Sequence, residues 1–243
     1  MIRAEERLAA AIARLIVDPA APPARHVAVG AASPIPAAAC LLVRALGHDV
    51  RLSLLHRRRG NPFTDGTREL FDLAGQGRID LFFLGGGEID GQANINLIGT
   101  GDWPGMGVRF PGSFGSAFMY LMTPRTILFR EEHSRRVMVE RVEHVSAPGL
   151  SAPGVFRRGT AQALVTGRCV FRFDAAAGRF ALASLHPGET AASVRGATGF
   201  AYDEAGTVPT TPDPTAAELG LLRAAVRAEM AETYPEFCAR VWR

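Results

Sequence analysis

A chain of 243 residues, 47% hydrophobic and with a net charge of +3, carries enough apolar material for a sizeable core and too small a charge excess for a nucleic-acid binder. All 27 of its basic residues are arginine and none is lysine, which excludes Schiff-base lysine chemistry and the P-loop lysine, and with them pyridoxal-phosphate enzymes and P-loop NTPases. The three cysteines, Cys40, Cys169 and Cys238, form no CxxC pair, so the sequence argues for a reducing compartment and against a disulfide framework or a zinc knuckle. The first residues, MIRAEERLAAAIARLIV, hold acids where a signal peptide holds an apolar core. No run approaches the roughly 18 apolar residues of a membrane span. The expectation is a cytoplasmic chain with no membrane or nucleic-acid partner, built as one α/β domain.

In chain order, Leu8, Ile12, Leu15 and Ile16 recur at helical spacing and predict an amphipathic helix over 3–17. His26 to Gly30 reads as a short strand ending in glycine. Ser33 followed by Pro34 predicts a helix start, and the helix runs through Leu46 to Gly47. Val50 to Leu55 is the next strand, Thr67 to Gly75 a helix, and Ile79 to Leu84 a buried strand. This βαβαβ rhythm predicts a parallel, right-handed sheet. Further on, Phe118 to Met122 read as helix and Thr126 to Phe129 as strand. Past Pro153 the pattern changes. Strands are predicted over Ala161 to Val165, Arg168 to Phe173 and Phe180 to Ser184, the last two joined as a hairpin by an Asp-Ala-Ala-Ala-Gly turn. Thr190 to Arg195 reads as a short helix, Glu204 to Pro214 as a Pro/Thr linker, and 215–242 as one last amphipathic helix. The chain divides into a parallel core over 1–150 and a region of hairpin strands and terminal helix over 151–243.

The most informative stretch is Leu81 to Ser116, LFFLGGGEIDGQANINLIGTGDWPGMGVRFPGSFGS. Gly85, Gly86 and Gly87 let the backbone approach something closely at a strand's carboxyl end, where open α/β sheets bind ligands. A second small-residue loop, Pro111 to Ser116, follows. The pair reads as a site built from backbone N–H groups.

Gly86 to Asn96 (GGEIDGQANIN) resembles the G-A-Q-[VI]-D-x-[YF]-G-N-[VIL]-N segment of class I coenzyme A transferase β subunits, glutaconate branch. Three more blocks are similar and in the same order. Arg109 to Ser116 resembles R-L-P-G-S-G-G-A, and Arg130 to Gly149 resembles R-H-E-x-R-R-F-V-E-x-V-D-x-[VI]-T-S-P-G. Ser184 to Thr190, with Val194 and Ala197 to Phe200, resembles S-[IL]-H-P-G-V-T … V … A-T-G-F. The resemblance implies an open, mainly parallel α/β fold with helices on its faces and an α subunit as partner in a heterodimer or α₂β₂ assembly. It also implies acyl-CoA chemistry, with coenzyme A as part of the substrate and no permanently bound cofactor or metal. In such transferases a glutamate of the β subunit attacks the thioester, helped by backbone N–H groups at glycine turns. That glutamate follows the strand before the glycine strand. Here Arg51 to Leu55 is followed by His56-Arg57-Arg58-Arg59-Gly60-Asn61, which contains no acid.

Each candidate has two readings. Glu88, where the family has Gln, is a displaced nucleophile or base, or a hydrogen-bonding loop residue. Asp90 and Asn94 shape the loop, and Asn94, Gly86 and Gly87 are also candidates for contact with the substrate or CoA. Gly112, Ser113, Gly115 and Ser116 supply donors for a thioester oxyanion or form a plain glycine turn, Phe114 replacing a family glycine. His56 and its neighbouring arginines bind an anionic CoA group or make a solvated loop. His186 shapes a turn, His133 with Glu131 and Glu132 fits no metal triad, and Arg135, Arg136 and Arg141 form ion pairs or a partner contact. Three functions follow: CoA transfer to a carboxylate acceptor, hydrolysis of an acyl-CoA thioester or a ring carbon–carbon bond by water, and a non-catalytic scaffold chain completing a partner's site.

Overall fold

The computed structural model describes residues 1–57 and 59–243; Arg58 of the arginine run lies outside the described residues. Two compact units divide the chain, one formed by Met1–Phe83 with Pro212–Arg243 and the other by Leu84–Thr211. The first begins with α1 (Ala4–Ile16), β1 (His26–Val29), α2 (Pro34–Ala45), β2 (Arg51–Leu54), α3 (Thr67–Gly75) and β3 (Leu81–Leu84). β1 pairs in parallel with β2 and with β3, as the βαβαβ rhythm predicts. β1 and β3 are buried along their whole length, the mark of strands covered on both faces. Leu8, Ile12, Leu15 and Ile16 of α1 are buried, and α2 is buried without interruption from Ile35 to Val43. A helix apolar on every side belongs inside a protein, which is why α2 carries no polar stripe.

The second unit holds two small antiparallel pairs that no periodicity predicts, β4 (Glu88–Ile89) with β5 (Ile95–Asn96) and β6 (Gly99–Thr100) with β7 (Val108–Arg109). Then come α4 (Ser116–Met122), β8 (Arg125–Arg130), β9 (Thr160–Thr166), β10 (Cys169–Asp174), β11 (Arg179–Leu185), α5 (Ala191–Ala197) and β12 (Asp203–Glu204). β8 runs parallel to β9, and β9, β10 and β11 alternate in direction, the last two joined as the predicted hairpin. Phe171, Phe180, Phe200 and Tyr202 pack their rings against one another around this hairpin, at tilted and edge-on angles.

The C-terminal residues return to the first unit, a grouping different from the expected runs of 1–150 and 151–243. The single helix predicted for 215–242 is not formed. Instead α6 (Ala216–Leu221) leads through a π turn at Leu222–Val226 into α7 (Arg227–Met230), and α8 (Pro235–Val241) starts afresh. Pro235 lacks an N–H and restricts the residue before it, and Tyr234 accordingly leaves the helical region, at φ −134° and ψ 60°. The π turn is anchored to α1 by an ion pair. Arg223 bonds both carboxylate oxygens of the buried Glu6, at 2.6 and 2.8 Å, and the Arg3 amide adds a bond of 2.8 Å.

Two buried histidines tie separate strands and loops together. His133 Nε2 bonds Thr198 Oγ1 at 2.9 Å and its Nδ1 bonds Thr166 Oγ1 at 2.8 Å. The Thr198 hydroxyl gives its own proton to the Val194 carbonyl, so it accepts from Nε2–H and Nδ1 is the acceptor. Burial, helped by the nearby Arg168 cation, holds the His133 imidazole down to about 4. His26, which bonds the Arg78 carbonyl and Ser53 Oγ, is lowered by burial as well. Both rings bind protons less readily folded than unfolded, so the stability each contributes is complete above about pH 6.5 and is lost as pH falls, down to about pH 4 for His133. Urea unfolding at pH 7.5 and pH 5 should show this loss, on the order of 1 kcal/mol per pH unit for His133. His133→Gln should give a shallower pH slope than the parent.

Candidate functional site

The turn from β4 to β5 is organised by two buried carboxylates. Asp90 Oδ1 accepts from the amides of Gln92 and Asn94 at 3.0 and 3.1 Å, and Oδ2 accepts from the Asn94 side chain at 3.1 Å and the Val142 amide at 3.4 Å. Glu88 Oε2 accepts from Asn96 Nδ2 at 2.7 Å and from the Glu143 amide at 3.0 Å. Asn96 is fully buried; its oxygen takes the amides of Ile98 and Gly99, and its nitrogen also reaches the Gly99 carbonyl at 2.8 Å. Asn94 Oδ1 accepts from Gly149 N at 3.0 Å. Backbone bonds run alongside, joining Ile89 to Val137 and Val139, and Ile95 to Ser146 and Ala147. The segments 88–96 and 137–149 are thus sewn together by charge-assisted bonds of the stronger kind.

The predicted residues sort into three groups. Gly86 and Gly87 approach protein rather than solvent: a Cβ on Gly87 would overlap the Phe110 ring, and one on Gly86 the Glu88 carbonyl and Ile95. Glu88 and Asn94 belong to the polar hub just described. The loop Gly112 to Ser116 is different. Gly112 has φ +101° with open space where a Cβ would stand, and its amide bonds Leu97 O at 2.8 Å. Phe114 keeps a left-handed backbone, φ +43°, at the place of the family glycine, and its side chain is 81% exposed. Among the described residues the amides of Ser113 and Gly115 donate no hydrogen bond, and the buried Ser116 Oγ has no partner. This loop can offer donors to an anion or an oxyanion.

His56 lies in the other unit, exposed on the turn after β2, its ring stacked on Tyr234. His186 Nε2 donates to the Thr166 carbonyl at 2.9 Å and its Nδ1 meets Thr211 Oγ1 at 3.0 Å, a turn-shaping role. Arg136 pairs with Glu132, and Arg135 reaches the Gly196 carbonyl. No cluster of His, Cys, Asp or Glu among the described residues has a metal-binding arrangement.

Residues 41–197 match the family model described as "Coenzyme A transferase". The chain belongs to the coenzyme A transferase family. It is 33% identical over 154 residues to the B-type chain of 3-oxoadipate CoA-transferase from Pseudomonas knackmussii, covering 61% of this chain and 59% of that protein. The chain thus spans less than two thirds of the length of that relative. Its fold is similar to that of the decarboxylase AibA/AibB, with a TM-score of 0.78 and 25% identity over 92% of this chain and 95% of that one. The fold is also that of glutaconate coenzyme A-transferase from Acidaminococcus fermentans, with a TM-score of 0.79 and 20% identity over 96% and 97% of the two chains.

Within this transferase frame, the collinear blocks acquire a physical meaning. The Gly86–Asn96 block is bonded to the 130–149 block. Gly112 N bonds Leu97 O just past it, Phe110 packs on Gly87, and Gly199 N bonds Met138 O at 2.6 Å while Phe200 lies against Gly91. Sequence reasoning missed Asn96 as the centre of this network and Tyr234 as the partner of His56. Asn96 stood inside the quoted motif; Tyr234 sits before a proline that was itself visible. Glu88→Ala should cost about 1–3 kcal/mol by leaving one Asn96 Nδ2 proton and the Glu143 amide unsatisfied, whereas Glu88→Gln, which keeps an acceptor oxygen, should cost less than about 1 kcal/mol in urea unfolding.

Proposed function

We propose that this chain is the B-type component of a heteromeric, CoA-transferase-like enzyme acting on acyl-CoA thioesters, with coenzyme A as part of the substrate and an α-type chain of the same family as its partner. The family match over 41–197 supports the substrate class. A relative that is itself the B-type chain of a CoA-transferase, and the paired name AibA/AibB of a structural neighbour, support a two-chain assembly. The loop Gly112–Ser116, with the Ser113 and Gly115 amides uncommitted, is suited to an anionic group such as a phosphate of CoA.

The observation that carries the reaction type is the turn after β2, where the sequence from His56 to Asn61 holds no carboxylate. Glu88 is engaged as an acceptor inside the second unit and is poorly placed to serve instead. Transfer through a glutamyl-CoA intermediate therefore needs a glutamate from the partner, while cleavage by water needs only a base and an oxyanion site. The water reading is the one this chain's own residues support. Among the described residues no helix is long and apolar enough to cross a membrane.

The test is reconstitution with the α-type chain, incubation with acyl-CoA and borohydride, and mass spectrometry of both chains. The expected result is release of free CoA without any acceptor acid and no modified glutamate on this chain. A reduced glutamate on this chain, or turnover that strictly requires a carboxylate acceptor, would show that transfer is correct.

A further inference from the structure

The first unit contains a cavity of about 520 Å³ at the carboxyl ends of β1 and β2. Its walls are the β1–α2 loop at Ala32 and Pro34, His56 after β2, and the break between α7 and α8 over 232–237. This is the edge of a parallel sheet where ligands bind.

The aromatic pair at its centre is well defined. The His56 ring lies nearly flat on Tyr234, with centroids 5.3 Å apart and planes 14° from parallel. Tyr234 is 8% exposed, and its hydroxyl donates to the Ala31 carbonyl at 3.0 Å. The helix break at Pro235 is what turns this ring toward the loop. The stack holds the face of the imidazole, while both ring nitrogens remain uncommitted: His56 makes no hydrogen bond or ion pair among the described residues.

The other charged groups around the cavity are less suited to proton transfer. Glu232 accepts from the Arg59 amide at 3.2 Å and lies 3.9 Å from its guanidinium. Arg57 pairs with Glu229 at 3.2 Å. Glu236, in the first turn of α8, is the other carboxylate on the cavity wall. An imidazole with a free ring nitrogen can accept a proton and return it in a later step. The positive end of α2 begins at the cavity wall with Pro34, so negative charge developing there is favoured.

We infer that this cavity receives the acyl end of the thioester and that His56 is the catalytic base that activates water against it. The inference rests on the acyl-CoA reading above. The water oxygen bonds to the thioester carbonyl carbon as its proton passes to a His56 ring nitrogen. Collapse of the tetrahedral intermediate breaks the carbon–sulfur bond, and the imidazolium returns the proton to the departing thiolate. One acyl-CoA and one water give one carboxylic acid and one CoA thiol, with no redox change and no other reactant.

The experiment uses the reconstituted heteromer, butyryl-CoA as probe, and a colorimetric assay of released thiol. Calorimetry of butyryl-CoA binding and thermal melting of each variant run beside it. His56→Gln should lower kcat by about 100-fold or more with KM changed less than about threefold and melting unchanged, and added imidazole should restore part of the activity of His56→Ala. As a control away from the cavity, Arg179→Gln, which removes an exposed ion pair with Asp203, should stay within about threefold of the parent. The inference is overturned if His56→Gln keeps kcat within threefold, if Glu232→Gln or Glu236→Gln abolishes kcat while His56→Gln does not, or if the parent binds butyryl-CoA and releases no thiol. Absence of any butyryl-CoA binding by the parent heteromer would instead remove the acyl-CoA reading itself.

Discussion

The second unit depends on burying two carboxylates, Glu88 and Asp90, that its own backbone must satisfy. An ionised carboxylate taken out of water is costly unless several donors meet it. Here the amides of Gln92, Asn94, Val142 and Glu143 and the side chains of Asn94 and Asn96 do so. Donors more than 50 residues away in sequence are thereby fixed in place, and the motif becomes a clamp between distant segments.

That constraint separates residues that look chemical from those free to do chemistry. Acids and amides packed into one short motif suggest a reacting centre, yet Asp90, Asn94, Asn96 and one oxygen of Glu88 are spent on holding the chain. The groups with uncommitted hydrogen-bonding capacity are elsewhere: the Ser113 and Gly115 amides on an open loop, and the edge of the His56 ring. Phe114 shows the same economy at the backbone level. The loop keeps the left-handed conformation of a glycine even though the residue has a large side chain, and that side chain is left in solvent.

Legibility followed the range of the physics. β1, α2, α3 and the β10–β11 hairpin were readable within a residue or two, because periodicity, a proline at a helix start and a turn sequence are local signals. The two-residue strands β4 to β7 were not, since such short pairings exist only through their partners. The broken C-terminal helix was a misjudged local signal: the apolar spacing of Leu222, Val226 and Met230 outweighed Pro235, although proline wins because a helix interior cannot supply its missing donor. The buried roles of His26 and His133 were invisible, since each ring is satisfied by residues on other strands or loops.

By itself the sequence determined the α/β class, the parallel βαβαβ start, the membership implied by four collinear blocks, and the absence of a carboxylate from His56 to Asn61. These are properties of residue order, and no packing can alter them. Only the tertiary structure decided that Glu88 and Asn94 are held in a polar hub, that Gly87 makes room for Phe110, and that His56 rests on Tyr234 from the far end of the chain. Whether a polar group is occupied or available depends on partners brought from distant positions. The strand-end glycines therefore mark where the chain closes on itself, and among the described residues the groups left without hydrogen-bond partners include the Ser113 and Gly115 amides and the edge of the His56 ring.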